Sequence, residues 1–258
     1  MWDWSGVRSL LENPSPDELA KRLEAMRPSE LRRKKEWVVS LLHHRSVIVR
    51  WAAAQALGRA QIGTEELRRA LDKERNELVL TEITESLAIF RDDQSLPQLR
   101  GLAEGHPSPI VRSYSLMAIA DISRRGSVPY LQERLRRERS TYVKAALSCV
   151  LVAQGVGDAL NDVVKYLGSK NIKIRRLAAN LLYHYAPRKG RHLLLTALRE
   201  VLSRETNHGA RGDIERAVKE LSSGRQGTEW ARQAEARKAV LSRGLRSVTC
   251  RSVEDFAS

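Results

Sequence analysis

Two columns of apolar residues recur along the chain at one fixed interval. Leu67, Leu99, Leu131 and Val163 stand thirty-two residues apart, and Val79, Val111 and Val143 keep the same spacing. A period of this length marks an array of like supersecondary units. Each unit is too small to cover its own apolar face, so neighbours stack and bury a continuous core.

Local signals travel in phase with the columns. Ser95-Leu96-Pro97 and Ser127-Val128-Pro129 each offer a hydroxyl as a helix cap and a proline in the first turn, where its missing N–H costs nothing. Both are expected to open the first helix of a hairpin. The second helix is expected to begin at Ser46, Asn76, Ser108, Ser140 and Asn171, each followed by an apolar stripe with helical spacing. Strand signals are scarce throughout.

The expected organisation follows from where the register holds. Residues 1–45 read as N-terminal capping helices, with amphipathic segments from Ser15 to Met26 and Ser29 to His43, and Ser15-Pro16-Asp17-Glu18 as a capping box. Residues 46–187 carry the repeats. Residues 188–222 read as an irregular C-terminal pair, Arg191 to Leu202 and Asp213 to Leu221, joined by a loop containing Asn207 and Gly209. Residues 223–258 read as a linker, a short helix from Thr228 to about Arg243, and a polar tail.

The segment Val49-Arg50-Trp51-Ala52-Ala53-Ala54-Gln55-Ala56-Leu57-Gly58 resembles the second-helix signature of HEAT repeats, in particular the short form named after phycobilisome lyases. Ile110-Val111-Arg112 and Ile174-Arg175-Arg176-Leu177-Ala178-Ala179 repeat it. Val143-Lys144-Ala145-Ala146-Leu147 replaces the arginine and Val79-Leu80 drops it. The resemblance spans roughly residues 30 to 187. It implies an all-α fold, a right-handed α-solenoid of stacked HEAT-like hairpins, and it specifies architecture rather than activity.

The chain has 258 residues with a formal net charge of +14, so an acidic partner is in keeping with its composition. The charge is uneven. Lys21 to Arg59 is strongly basic and Glu65 to Glu104 acidic. Between Asp162 and Glu200 there is no carboxylate, while Lys165, Lys170, Lys173, Arg175, Arg176, Arg188, Lys189, Arg191 and Arg199 accumulate. No run of eighteen apolar residues occurs, and Met1-Trp2-Asp3-Trp4 does not open a signal peptide, so a cytoplasmic protein with no membrane span is expected. Cys149 and Cys250 lie too far apart in sequence to form a local pair, which suits a reducing compartment.

In HEAT-like arrays the second helices line a concave face. With Ala52, Ala53, Ala56 and Leu57 packed inward, Trp51 and Gln55 are expected to point outward one turn apart. The equivalent positions are Thr81, Ser113, Ala145 and Arg176 in the first column, and Glu85, Met117, Cys149 and Asn180 in the second. Trp51, Gln55, Glu85, Met117, Lys173, Arg176 and Asn180 are therefore the candidate partner-binding residues, with Trp51 as an aromatic anchor unless it packs against the N-terminal cap. Arg50, Arg112, Lys144 and Arg175 recur at the signature position. There a charge is expected to fix stacking between repeats rather than to form a ladder of phosphate contacts.

Catalytic chemistry has little support in the residues. His43 and His44 are neighbours on a helix and do not share a face, and His184 lies between two tyrosines without a cysteine or carboxylate nearby. The His-Glu pairs of the HEAT-repeat deoxyhypusine hydroxylases are missing. Cys149 has no histidine on its helix to activate it, and no phosphate loop or nucleophile elbow occurs. The expected function is a non-enzymatic scaffold or adaptor that binds a macromolecule, a protein by preference, on its concave face, with no cofactor and no metal. Nucleic-acid binding, on the pattern of the alkylpurine DNA glycosylases, is the alternative, and a bilin-lyase-like role is the more remote implication of the short repeat.

Overall fold

The computed structural model describes residues 14–185, 187 and 189–223. The expected linker, short helix and tail beyond Ser223, and residues 1–13, lie outside them. No strand occurs among the described residues. The chain forms two compact units, Met1–Gly101 and Leu102–Ser258.

Within the first unit, α1 (Pro16–Ala25), α2 (Pro28–Arg33) and α3 (Lys35–Ser40) precede a 3-10 turn at Leu41–His43. Two hairpin helices, α4 (Val47–Ala60) and α6 (Glu77–Phe90), follow, with α5 (Thr64–Lys73) between them. The capping box at Ser15 is formed: its hydroxyl accepts the Glu18 N–H, and the Glu18 carboxylate accepts the Ser15 N–H at 2.8 Å. α4 packs against α1, α2, α3 and α6. Its alanines allow that crowding, and Gly58 is the closest point, since a Cβ there would run into the Ser86 hydroxyl on α6. Ser86 instead donates across the helix pair to the Ala54 carbonyl at 3.1 Å. Two arginines donate to carbonyls at helix C-termini, where the intrahelical ladder runs out of N–H donors. Arg59 donates to the carbonyls of Leu23 and Glu24 at the end of α1, and Arg32 to that of Ala60 at the end of α4.

α7 (Leu96–Gly105) contains the division between the units. The second unit continues with α8 (Pro109–Ser123), α9 (Val128–Arg137), α10 (Thr141–Ala153), α11 (Leu160–Leu167), α12 (Ile172–His184), α13 (Arg191–Arg204) and α14 (His208–Ser222). Here the second helices form a row in which α10 packs against α8 and α12, and α12 against α14, while each of α9, α11 and α13 packs against its own hairpin partner. All seven residues of the two periodic columns are at most 1% exposed. The thirty-two-residue period is thus the period of core burial.

Ser46, Asn76, Ser108, Ser140 and Asn171 each occupy the N-cap of a second helix. The first-helix caps differ from expectation. A 3-10 turn precedes each of those helices, so Ser95 and Ser127 sit inside a helical run and their hydroxyls donate backward, to the carbonyls of Asp92 at 2.6 Å and Arg124 at 2.5 Å. The last helix also differs. α14 starts at His208 rather than Asp213, because the Asn207 side chain accepts the Ala210 N–H at 3.0 Å and caps a helix whose apolar pattern is interrupted by Gly209 and Gly212.

Candidate functional site

The residues just before each second helix form one recurring device. Two positions ahead of the cap, a side chain accepts the cap residue's own N–H. His44 Nδ1 accepts from Ser46 at 3.0 Å, Glu74 from Asn76 at 2.8 Å and His106 Nδ1 from Ser108 at 3.1 Å. Glu138 accepts from Ser140 at 2.8 Å, Ser169 from Asn171 at 3.2 Å and Glu205 from Asn207 at 3.0 Å. Asn76, Asn171 and Asn207 then cap with their own side chains, whereas Ser46 and Ser140 make no side-chain cap bond.

Where this acceptor is a glutamate, the signature arginine of the preceding hairpin reaches it. Arg50 donates from Nε and Nη2 to the two Glu74 oxygens at 2.7 and 3.2 Å, and from Nη1 to the carbonyls of His44 and Arg45 at 2.9 and 3.1 Å. Arg112 repeats the pattern on Glu138 at 3.2 and 3.1 Å and on the carbonyls of His106 and Pro107. Arg175 does so on Glu205 at 2.8 and 3.0 Å and on the carbonyls of Ser169 and Lys170. A planar guanidinium is suited to this, since its fork meets both carboxylate oxygens and leaves a further nitrogen for the turn. These arginines therefore fix stacking and form no phosphate ladder.

The clamps tune their carboxylates. Burial pulls the Glu74 and Glu138 carboxyls upward, but the bonds from Arg50 and Arg112, with the N–H groups of Asn76 and Ser140, outweigh it and hold both below the usual range. For Glu205 the Arg175 bond is the largest influence, and its pKa too is lowered.

The proposed outward columns fare differently. Trp51, at 3% exposed, is buried, as are Gln55 on the same helix, Glu85 on α6 and Met117 on α8. The expectation of an exposed tryptophan anchor is corrected by the packing of α4, which has neighbours on several sides and no open stripe. Arg176 on α12 is half exposed, yet its Nε donates to buried Asp213 on α14 at 2.6 Å, and Arg216 holds the other Asp213 oxygen. It serves as a tie within the last two hairpins. Lys173 and Asn180 on α12 are partly exposed. The candidate residues thus fall into two sets: Trp51, Gln55 and Glu85 in the first unit, Met117, Lys173, Arg176 and Asn180 in the second.

Cys149 is fully enclosed, and burial pushes its thiol up to about 12, which disfavours the nucleophilic thiolate. Among the described residues no group of three His, Cys, Asp or Glu side chains is placed to hold a metal ion, and no helix is long and apolar enough to cross a membrane. Sequence reasoning missed the glutamates of the clamps. Their signal was present: Glu74, Glu138 and Glu205 each stand two residues ahead of a cap.

The family model of HEAT repeats matches residues 64–151. No curated protein matches it in sequence. Among solved structures the chain is similar to one in the complex of CpcE and CpcF of phycocyanin lyase from Nostoc sp. PCC7120. The TM-score is 0.49 at 16% identity, covering 81% of this chain and 95% of that one.

Proposed function

We propose that the chain is a non-enzymatic HEAT-repeat adaptor that binds a macromolecular partner, a protein, through the surfaces its hairpins leave accessible. The observation that supports this reading best is the Arg–Glu clamp repeated at Arg50, Arg112 and Arg175. Recurring polar residues hold the hairpins in register, and recognition falls to positions that vary from repeat to repeat. The enclosed, weakly acidic Cys149 thiol is in keeping with a protein that does no covalent chemistry there.

Of the seven candidate contacts, Lys173 and Asn180 carry the proposal in the second unit. Trp51, Gln55, Glu85 and Met117 act as interior of the fold, and Arg176 as a tie to Asp213. The test is affinity capture followed by mass spectrometry, with wild type and a Lys173→Glu, Asn180→Ala variant compared at equal melting temperature. The variant is expected to lose at least one protein the wild type retains. Identical recovery of every protein removes this face from the reading.

A further inference from the structure

The basic stretch from Lys21 to Arg59 is not uniformly committed to the fold. Arg27 pairs with Glu30, Lys35 with Glu66 and Arg50 with Glu74, while Arg32 and Arg59 close helix ends. Arg22, Lys34 and Arg45 are different. Each is exposed, and the side chain of none has a hydrogen bond or ion pair among the described residues. All three line one recess of about 920 Å³ in the first unit, formed by α1, α3 and the turn after it.

The recess has an aromatic wall and no carboxylate among its described lining residues. Trp37 is partly exposed there, with Lys34 Nζ 5.8 Å from its ring centroid, and Leu41 supplies an apolar floor. His44 lines the same space. Its Nδ1 already accepts the Ser46 N–H, so the neutral ring carries its proton on Nε2 as a further donor. Three cationic side chains line one recess with no carboxylate among its described lining residues, so a ligand there meets positive charge alone. An anionic ligand with an apolar group would complement that charge and cover the indole.

We propose that this recess receives an acidic peptide segment of a partner protein, with an apolar side chain against Trp37 and Leu41 and flanking carboxylates on Arg22, Lys34 and Arg45. The proposal rests on the protein-binding reading above and names a site for it. The charge pattern selects a short peptide over a duplex. Asp17, Glu18 and Glu24 are exposed on α1 and Glu36 on α3, so the cationic field is bounded by carboxylates. A duplex presents a phosphate charge about every 1.7 Å and needs a longer basic track.

The experiment is fluorescence anisotropy on the full chain. The probes are a fluorescein-labelled peptide Asp-Glu-Phe-Leu-Glu-Asp, its uncharged counterpart Asn-Gln-Phe-Leu-Gln-Asn, and a labelled DNA duplex. The acidic peptide is expected to bind at least about tenfold more tightly than the uncharged one. An Arg22→Gln, Arg45→Gln variant is expected to lose about tenfold of that affinity at unchanged melting temperature, both residues being exposed and unpaired within the described fold. Equal binding of the two peptides, or binding indifferent to the variant, overturns the proposal. So does tighter, variant-sensitive binding of the duplex, which assigns the recess to nucleic acid. A rise of about tenfold in peptide affinity on Trp2→Ala, Trp4→Ala assigns it instead to the chain's own N-terminal residues and likewise overturns it. Failure here with the Lys173 and Asn180 effect intact removes the recess and leaves the adaptor reading standing. The converse result removes the α12 face alone.

Discussion

Two hairpins of the second unit solve the same stacking problem with different chemistry. The α8 hairpin carries Arg112, bonded to both oxygens of Glu138 and to two turn carbonyls. The α10 hairpin carries Lys144 at that position, and where the next glutamate would stand the chain has Ser169, whose hydroxyl serves only the Asn171 N–H. Yet Val111 and Val143, the core residues beside them, are both fully buried. Apolar burial is sufficient to stack a hairpin, and the clamp adds orientation. A lysine cannot replace the arginine in kind, because a single ammonium cannot span a carboxylate and two carbonyls at once.

The largest expected effect comes from breaking one side of a clamp. Glu138→Ala leaves the mostly buried Arg112 without its counter-charge and the N–H groups of Arg139 and Ser140 without an acceptor. Loss of one partner from such a pair is expected to cost about 3 kcal/mol by urea unfolding. Lys144→Ala is expected to cost about 0.5 kcal/mol or less. Equal costs for the two would break the contrast between the hairpins.

A smaller effect tests whether close packing alone sets the stack in the first unit. Gly58→Ala gains helix propensity but drives a methyl into Ser86, for a net loss of about 1 to 2 kcal/mol. Adding Ser86→Ala removes the obstructing hydroxyl. The double variant is expected to recover most of the loss. If Gly58→Ala melts at or above the wild-type temperature, the approach of α4 to α6 is looser than Gly58 implies.

Acid sharpens the same comparison by a further step down. The folded pKa values of Glu74, Glu138 and Glu205 lie below the ordinary 4.5. A lowered folded pKa contributes stability that is complete above the unfolded value and disappears as pH falls through the folded one. Clamp stabilisation is therefore full near neutrality and is lost progressively below about pH 4.5. Glu138→Gln, which cannot titrate, is expected to lose less stability than wild type between about pH 5 and pH 3. Parallel pH profiles would mean that Glu138 contributes nothing to acid unfolding.

These contrasts also mark what could be read from sequence. The second-helix caps and the two core columns were legible because capping and periodic burial are decided within a few residues of chain or by a strict repeat. Clamp partners were not, since Arg50 and Glu74 lie twenty-four residues apart and Arg175 and Glu205 thirty. The outward face of α4 was misread for a physical reason. Amphipathic analysis assumes one packed stripe and one wet one, but α4 has packing partners in α1, α2, α3 and α6, so Trp51 and Gln55 are enclosed. The cations of the recess were not legible because Arg22, Lys34 and Arg45 share no sequence spacing and only the fold brings them to one recess.

The smallest expected effect is the most direct test of what the clamp adds. Lys144→Arg places a guanidinium where the carbonyls of Glu138 and Arg139 hold the same offsets that the Arg112 partners hold, six and five residues back. Alone it is expected to gain at most about 0.5 kcal/mol, because two carbonyl bonds in a solvated turn replace water. Combined with Ser169→Glu it recreates the whole device and is expected to gain about 1 kcal/mol, with a double-mutant cycle showing the pair to exceed the two single changes. The glutamate also keeps an acceptor for the Asn171 N–H that Ser169 now serves. Strict additivity would mean that α10 and α12 are spaced or turned differently from the clamped hairpins, and that lysine stands at 144 because no arginine there could reach.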